Sequence, residues 1–193
     1  MKPGSVLVIL LHEIYGVNEH MRVIEQRIIQ SGMDVVVPNL LGRASFNHEE
    51  ENEAYSYFMQ HVGFQKGVHE VQHIVQSYRD AYEQIYVIGF SVGATIAWLA
   101  SGLEVDGVIG YYGSRIRDYT KVDPSCRVKL FFPRHEASFD VRALLNSLSA
   151  KNKVSAVLVD ADHGFMNPFS DCYNIEASEF CWTSSMEMLK NMK

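Results

Sequence analysis

Along this chain, short apolar runs rich in β-branched residues alternate with longer stretches of helical periodicity, and no other feature constrains the fold as much. The runs 6–11, 34–37, 85–89, 107–111, 128–132 and 155–159 are predicted strands. Their near-continuous apolar character suits strands covered on both faces. Helices are predicted over 19–31, 67–82, 92–101, 140–151 and 174–190. In the second of these, Val68, Val71, Ile74, Val75 and Tyr78 share one face at helical spacing. Strand and helix alternating in this way predict an α/β chain with a mainly parallel sheet flanked by helices. Such sheets bind ligands beyond the carboxyl ends of their strands, so functional residues are expected just after strands.

The 193 residues fit one domain, and no repeat or Pro/Gly/Ser linker divides them. A formal net charge of −6 gives no electrostatic support to nucleic-acid binding, and no polybasic block marks a membrane patch. Cys126, Cys172 and Cys181 are odd in number and form no C-x-x-C pair, which favours a reducing compartment. The apolar run 6–11 is too short to span a membrane and lacks a following small-residue cleavage site. A cytoplasmic protein is the expectation.

Gly89-Phe90-Ser91-Val92-Gly93 reads G-x-S-x-G, between the apolar run 85–88 and the helix-forming stretch 94–99. That context matters more than the pattern, because a sharp strand-to-helix turn raises a serine hydroxyl above the sheet. Ser91 is therefore the predicted nucleophile. The Val92 amide, at the helix start, can face the negative oxygen that forms during acyl transfer.

Of eight histidines, His163 follows the last predicted strand and precedes the closing helix. That is where the chain order Ser…acid…His places a general base. The acid is expected after the strand 128–132, where Glu136 and Asp140 are both available. Glu136 is nearer the strand end and is favoured, whereas Asp140 can simply cap the following helix. Asp160 and Asp162 are weaker alternatives, since both adjoin His163 in one loop.

With these residues in place, the chain resembles the dienelactone hydrolase family of α/β-hydrolases. The likeness rests on five segments: Leu11-His12-Glu13-Ile14-Tyr15-Gly16-Val17-Asn18, Val37-Pro38-Asn39-Leu40, the Gly89 to Gly93 elbow, Gly110-Tyr111-Tyr112-Gly113 and His163-Gly164-Phe165. The resemblance implies that Ile14 donates a second oxyanion-hole amide alongside Val92. Glu13 matches a glutamate that helps control the thiol in members with a cysteine nucleophile; with Ser91 in that place, a buried structural carboxylate is the equal alternative. Glu13, Tyr55 and Phe165 are the predicted substrate-pocket residues.

The chain also departs from the family pattern. Where the family looks to hold a substrate carboxylate with two arginines, this chain has Glu51 and Asn167. Dienelactone itself is therefore not the expected substrate, and a neutral ester, or one with its charge elsewhere, fits better. The acid position holds Glu136 where the family usually has Asp. The chain starts on the strand before His12-Glu13, so a sheet trimmed at its N-terminal edge is expected. Segment 40–66 is the one stretch long enough to cover the site, with Tyr55 and Phe58 as possible apolar walls or helix-packing residues.

His69-Glu70-Val71-Gln72-His73 reads H-E-x-x-H, the zinc-binding helix of many metallopeptidases. At ~100° per residue, however, both histidines lie nearly opposite the face formed by Val68, Val71 and Val75. No third ligand follows at the metzincin spacing. The sequence thus predicts a serine hydrolase acting on a small ester, thioester or lactone, with no cofactor or metal and no nucleic-acid or membrane partner. A non-catalytic scaffold that binds a small molecule or protein is the main alternative, and a zinc peptidase the remote one.

Overall fold

A computed structural model of the protein describes residues 5–190. Six parallel strands form one sheet in the order β2-β1-β3-β4-β5-β6. They are β1 (Val6–Leu11), β2 (Asp34–Val36), β3 (Gln84–Phe90), β4 (Gly107–Tyr111), β5 (Arg127–His135) and β6 (Val154–Asp162). The helices are α1 (Glu19–Gln30), α2 (Glu51–Tyr57), α3 (Gly63–Tyr78), α4 (Val92–Ala100), α5 (Val141–Leu148) and α6 (Ile175–Lys190).

The two-residue period of the strands divides the core in two. Leu7, Ile9 and Leu11 of β1, with Ile85 and Val87 of β3, face α3, α4 and α5. Val8, Leu10, Tyr86, Ile88 and Phe90 face α1 and α6. Helices α1 and α3 meet their faces through spaced apolar stripes: Met21, Ile24 and Ile28 on α1, and Val71, Ile74 and Val75 on α3. Trimming a fully buried strand residue such as Ile88 to alanine costs roughly 2–5 kcal/mol at sites of this kind.

Three local findings differ from the sequence reading. Helical structure begins earlier than residue 67: a 3₁₀ turn at His48–Glu50 leads into α2, and a π turn at Phe58–Val62 leads into α3. Helix α3 ends at Tyr78 rather than 82, and the Arg79 guanidinium that follows donates to the carbonyls of Tyr82 and Glu83 in the turn beyond it. Strand β5 runs on to His135 and β6 to Asp162, with a register irregularity near their ends. Pro133 pairs with Val159 but His135 pairs with Asp162, so β6 carries one extra residue between them. That bulge brings the next residues on the two strands, Glu136 and His163, side by side.

Candidate active site

Ser91 sits between β3 and α4 with φ 52° and ψ −112°, in the positive-φ region that non-glycine residues rarely enter. The surrounding packing holds it there. A Cβ on Gly89 would overlap the Gly93 carbonyl, and one on Gly93 would lie 2.5 Å from the Leu11 oxygen and 2.6 Å from that of His12. The two glycines thus let the start of α4 press against the end of β1 and against the strand that precedes Ser91. The Ser91 amide donates to the Tyr111 carbonyl at 3.0 Å, and its own carbonyl accepts the Thr95 amide of α4.

His163 Nε2 lies 3.2 Å from Ser91 Oγ, and His163 Nδ1 lies 2.8 Å from Glu136 Oε2. An ionised carboxylate only accepts, so Nδ1 carries the proton and Nε2 is left to accept from the serine hydroxyl. Burial by itself would raise the Glu136 pKa. Hydrogen bonds from His163 and from the Ser138 side chain and amide outweigh that effect and bring it down to about 2. Asp140 is occupied elsewhere: its carboxylate accepts the Arg142 and Ala143 amides as the cap of α5. Asp160 is exposed and pairs with Arg134 and His135.

Ser91, His163 and Glu136 open onto a cavity of about 510 Å³. Ile14 and Val92 line it as well. Among the described residues, neither of their amides has an intramolecular acceptor. Glu13 also reaches the wall but is itself buried, with Oε2 at 3.5 Å from Nδ1 of the fully buried His20. Burial pushes the Glu13 pKa up, but contacts with His20 and Tyr112 prevail and leave it below the ordinary carboxylate value. Tyr55 lines the cavity from α2, where its hydroxyl accepts a 3.4 Å hydrogen bond from Arg115. Glu51 and Asn167 are on the wall too.

Phe165, expected in the pocket, does not line the cavity. It is fully buried and packs edge-on against Tyr112 in the core beneath α1 and α6, away from the cavity wall. The Phe165 amide turns back to the Asp162 carbonyl, and Gly164 at φ 90° reverses the chain, so the aromatic ring points inward. Phe58 is likewise a core residue, packed on Phe64.

Sequence reasoning missed Arg115 and Arg117, which reach the cavity from a 3₁₀ turn (Ser114–Tyr119) just after β4. Their position after a strand was the available signal. It also missed His48, which lies against the Tyr15 ring at 4.5 Å and joins the wall. His69, Glu70 and His73 are exposed on α3, opposite its buried Val71, Ile74 and Val75. No group of three or more His, Cys, Asp or Glu suited to a metal occurs among the described residues. No helix among them is long and apolar enough to cross a membrane.

Comparison with known proteins identifies the family and the fold. The sequence profile of the Dienelactone hydrolase family matches residues 2–193. The uncharacterized protein YczH of Bacillus subtilis (strain 168) is 46% identical over 172 residues, covering 87% of this chain and 84% of its own length. Carboxymethylenebutenolidase 1 of Cupriavidus pinatubonensis is 22% identical over 206 residues, covering 98% and 88%. Among solved structures, a candidate dienelactone hydrolase from Klebsiella pneumoniae superposes with a TM-score of 0.83 at 20% identity, covering 99% of this chain and 89% of that one. The shared architecture is the α/β-hydrolase fold.

Proposed function

Because this chain belongs to the dienelactone hydrolase family, we propose that it is a serine hydrolase of small carboxylic esters, thioesters or lactones working through an acyl-enzyme. The observation that carries this reading is the relay Ser91 Oγ–His163 Nε2, 3.2 Å, and His163 Nδ1–Glu136 Oε2, 2.8 Å, opening onto the cavity. His163 takes the hydroxyl proton as Ser91 Oγ attacks the substrate carbonyl carbon. The negative oxygen of the tetrahedral intermediate is met by the amides of Ile14 and Val92. His163 then gives its proton to the leaving alkoxide. Water, deprotonated by the same imidazole, attacks the acyl-enzyme; the acyl–Oγ bond breaks, His163 returns the proton to Ser91 Oγ, and the acid is released. Glu136 stays ionised throughout and holds the imidazole in the productive tautomer.

Glu51 and Asn167 on the wall support a substrate other than dienelactone, since its carboxylate would meet a like charge at Glu51. A negative group placed elsewhere on the substrate would be met instead by Arg115 and Arg117, which both lean on Asp118. A non-catalytic scaffold would have no need of an aligned acid, and the Glu136 oxygen within hydrogen-bond reach of the imidazole supports the hydrolase reading over it.

The test is hydrolysis of short p-nitrophenyl esters by wild type and Ser91→Ala, beside covalent labelling by a fluorophosphonate. Turnover and labelling in wild type alone are expected. Equal turnover by both proteins would remove Ser91 from the mechanism, and an unlabelled, inactive wild type would favour a binding scaffold.

A further inference from the structure

An oxyanion hole works only if its donors already point at the developing charge. The Val92 amide is aimed by α4, whose first residue it is. Ile14 has no such support, because it lies in the turn that follows β1, outside any helix or strand. What fixes it is the histidine two residues earlier, which the relay described above does not use.

His12 is fully buried. The Leu40 amide donates to its Nε2 at 3.0 Å, so that nitrogen is bare and the ring proton is on Nδ1. Nδ1–H then donates to the Glu13 carbonyl oxygen at 2.6 Å. The Gly16 amide donates to the same oxygen at 3.2 Å. In a trans peptide the carbonyl and the following N–H point in opposite directions. With the Glu13 oxygen held by His12 and Gly16, the Ile14 N–H of that same peptide plane is turned away from them. Ile14 borders the cavity, and its amide has no acceptor among the described residues. Burial also lowers the His12 pKa against the pull of the Glu13 carbonyl and carboxylate, which preserves the bare Nε2 that the Leu40 amide needs.

We propose that His12 is a positioning residue: its buried ring links the Leu40 amide to the Glu13 carbonyl and so aims the Ile14 amide at the oxyanion. The inference rests on the serine-hydrolase reading and adds to it the device that preorganises one of the two donors. The ring touches no substrate atom. It acts by preventing the Glu13–Ile14 peptide from rotating about its flanking bonds, a motion that would swing the N–H out of the cavity.

Two variants separate this role from simple packing. His12→Phe keeps a ring of similar size and loses both hydrogen bonds. His12→Asn places an amide nitrogen where Nδ1 was, keeping the donor to Glu13 while losing the Leu40 bond. The readouts are the rate of Ser91 phosphonylation by a fluorophosphonate, whose phosphoryl oxygen occupies the hole, and kcat and KM on p-nitrophenyl butyrate. Loss of one oxyanion donor costs about 10²–10³-fold in kcat. His12→Phe is expected to slow phosphonylation and kcat together by that order with KM changed far less, and His12→Asn to recover at least about tenfold of the loss.

A purely structural role would instead impair both variants in proportion to their loss of Tm. A folded His12→Phe within about threefold of wild type, or His12→Asn as slow as His12→Phe, would overturn the proposal. If His12→Phe does not fold, imidazole ¹⁵N shifts of the wild type decide: an Nδ1–H tautomer is required, and an Nε2–H tautomer refutes the clamp. A wild type that is neither labelled nor active would overturn the hydrolase reading itself, an outcome distinct from unaffected variants of an active enzyme.

Discussion

Replacing Glu136 with glutamine keeps the shape of the side chain and removes its charge. In wild type the carboxylate oxygen is 2.8 Å from His163 Nδ1, and the Glu136 side chain is only 8% exposed. In the proposed mechanism His163 takes the serine proton and becomes an imidazolium whose charge centre is about 4 Å from that of the carboxylate. At an effective dielectric of ~20, two unit charges at that distance attract by about 4 kcal/mol. This attraction exists in the transition state and not in the ground state with neutral imidazole, so its loss falls on kcat. At 1.36 kcal/mol per decade, 4 kcal/mol is roughly a thousandfold. A glutamine amide can also donate to Nδ1 and favour the Nε2–H tautomer, which cannot accept from Ser91, so the full loss approaches about 10⁴. The assay is steady-state hydrolysis of p-nitrophenyl acetate and butyrate by Glu136→Gln, with thermal unfolding as a control on folding. KM should move by less than about threefold, since glutamine keeps the shape of the side chain at the cavity wall and the lost attraction belongs to the transition state. A folded Glu136→Gln protein within about fivefold of wild-type kcat would refute the reasoning and leave His163 without an electrostatic partner.

Four further outcomes follow from the same geometry. Asp140→Ala, which removes the cap of α5, should cost about 1 kcal/mol in urea unfolding and leave kcat unchanged; a collapse of kcat instead would reassign the acid. Gly93→Ala drives a methyl group into the Leu11 and His12 carbonyls, which cannot move aside as a flexible side chain could, so a loss of roughly 1–3 kcal/mol is expected and an unchanged midpoint would contradict the packing. Stability should fall with acid in two stages: His12, whose pKa is lowered in the fold, contributes stability present above about 6.5 that erodes as pH drops, and Glu136 contributes stability present above about 4.5 that is lost toward about 2. Each stage slopes by at most about 1.4 kcal/mol per pH unit, and a flat unfolding free energy from pH 7 to 3 would rule both out. His73→Ala and chelator treatment should each leave ester hydrolysis within about twofold, because His69 and His73 lie exposed on α3; strong inhibition by either would revive the zinc reading.

The sheet was legible because its strands are buried on both faces, and such strands announce themselves as unbroken apolar runs. The predicted limits of β4, 107–111, agree with the structure to the residue, and β1 does as well. Segment 48–62 was not legible for the converse reason. Across α2 and the π turn that follows, only Ala54 and Phe58 are buried, so the hydrophobic period that would reveal a helix is missing. Its polar face is what brings Glu51 and Tyr55 to the cavity. The error at Phe165 has a similar cause: an aromatic beside a histidine reads as a pocket wall until the turn at Gly164 is known to point it inward.

That Glu136 meets His163 depends on a feature that no propensity encodes. Without the extra residue in β6, His135 would pair with Ala161 and Glu136 would stand opposite Asp162 rather than His163. One bulge therefore separates a carboxylate facing an imidazole from one facing another carboxylate.

The rest of the site obeys a simpler rule that the topology imposes. Each of its central residues occupies the first position past a strand: His12 after β1, Ser91 after β3, Tyr112 after β4, Glu136 after β5 and His163 after β6. The registers Leu11↔Gly89, Phe90↔Tyr111 and Tyr111↔Phe131 bring β1, β3 and β4 to an end within about one residue of a common level. At that level the chain must leave the sheet, and the two departures with positive φ in non-glycine residues are Ser91 and Tyr112. Strand β5 continues four residues past its partner's end and β6 follows it, so Glu136 and His163 stand beyond the level at which β3 ends in Ser91. Ser91 leaves the sheet from β3, His163 comes from the projecting pair, and on the other side the backbone of Leu11 and His12 lies against Gly93 at the start of α4. Parallel strands ending together make such a convergence available, and the bulge in β6 turns it into a relay.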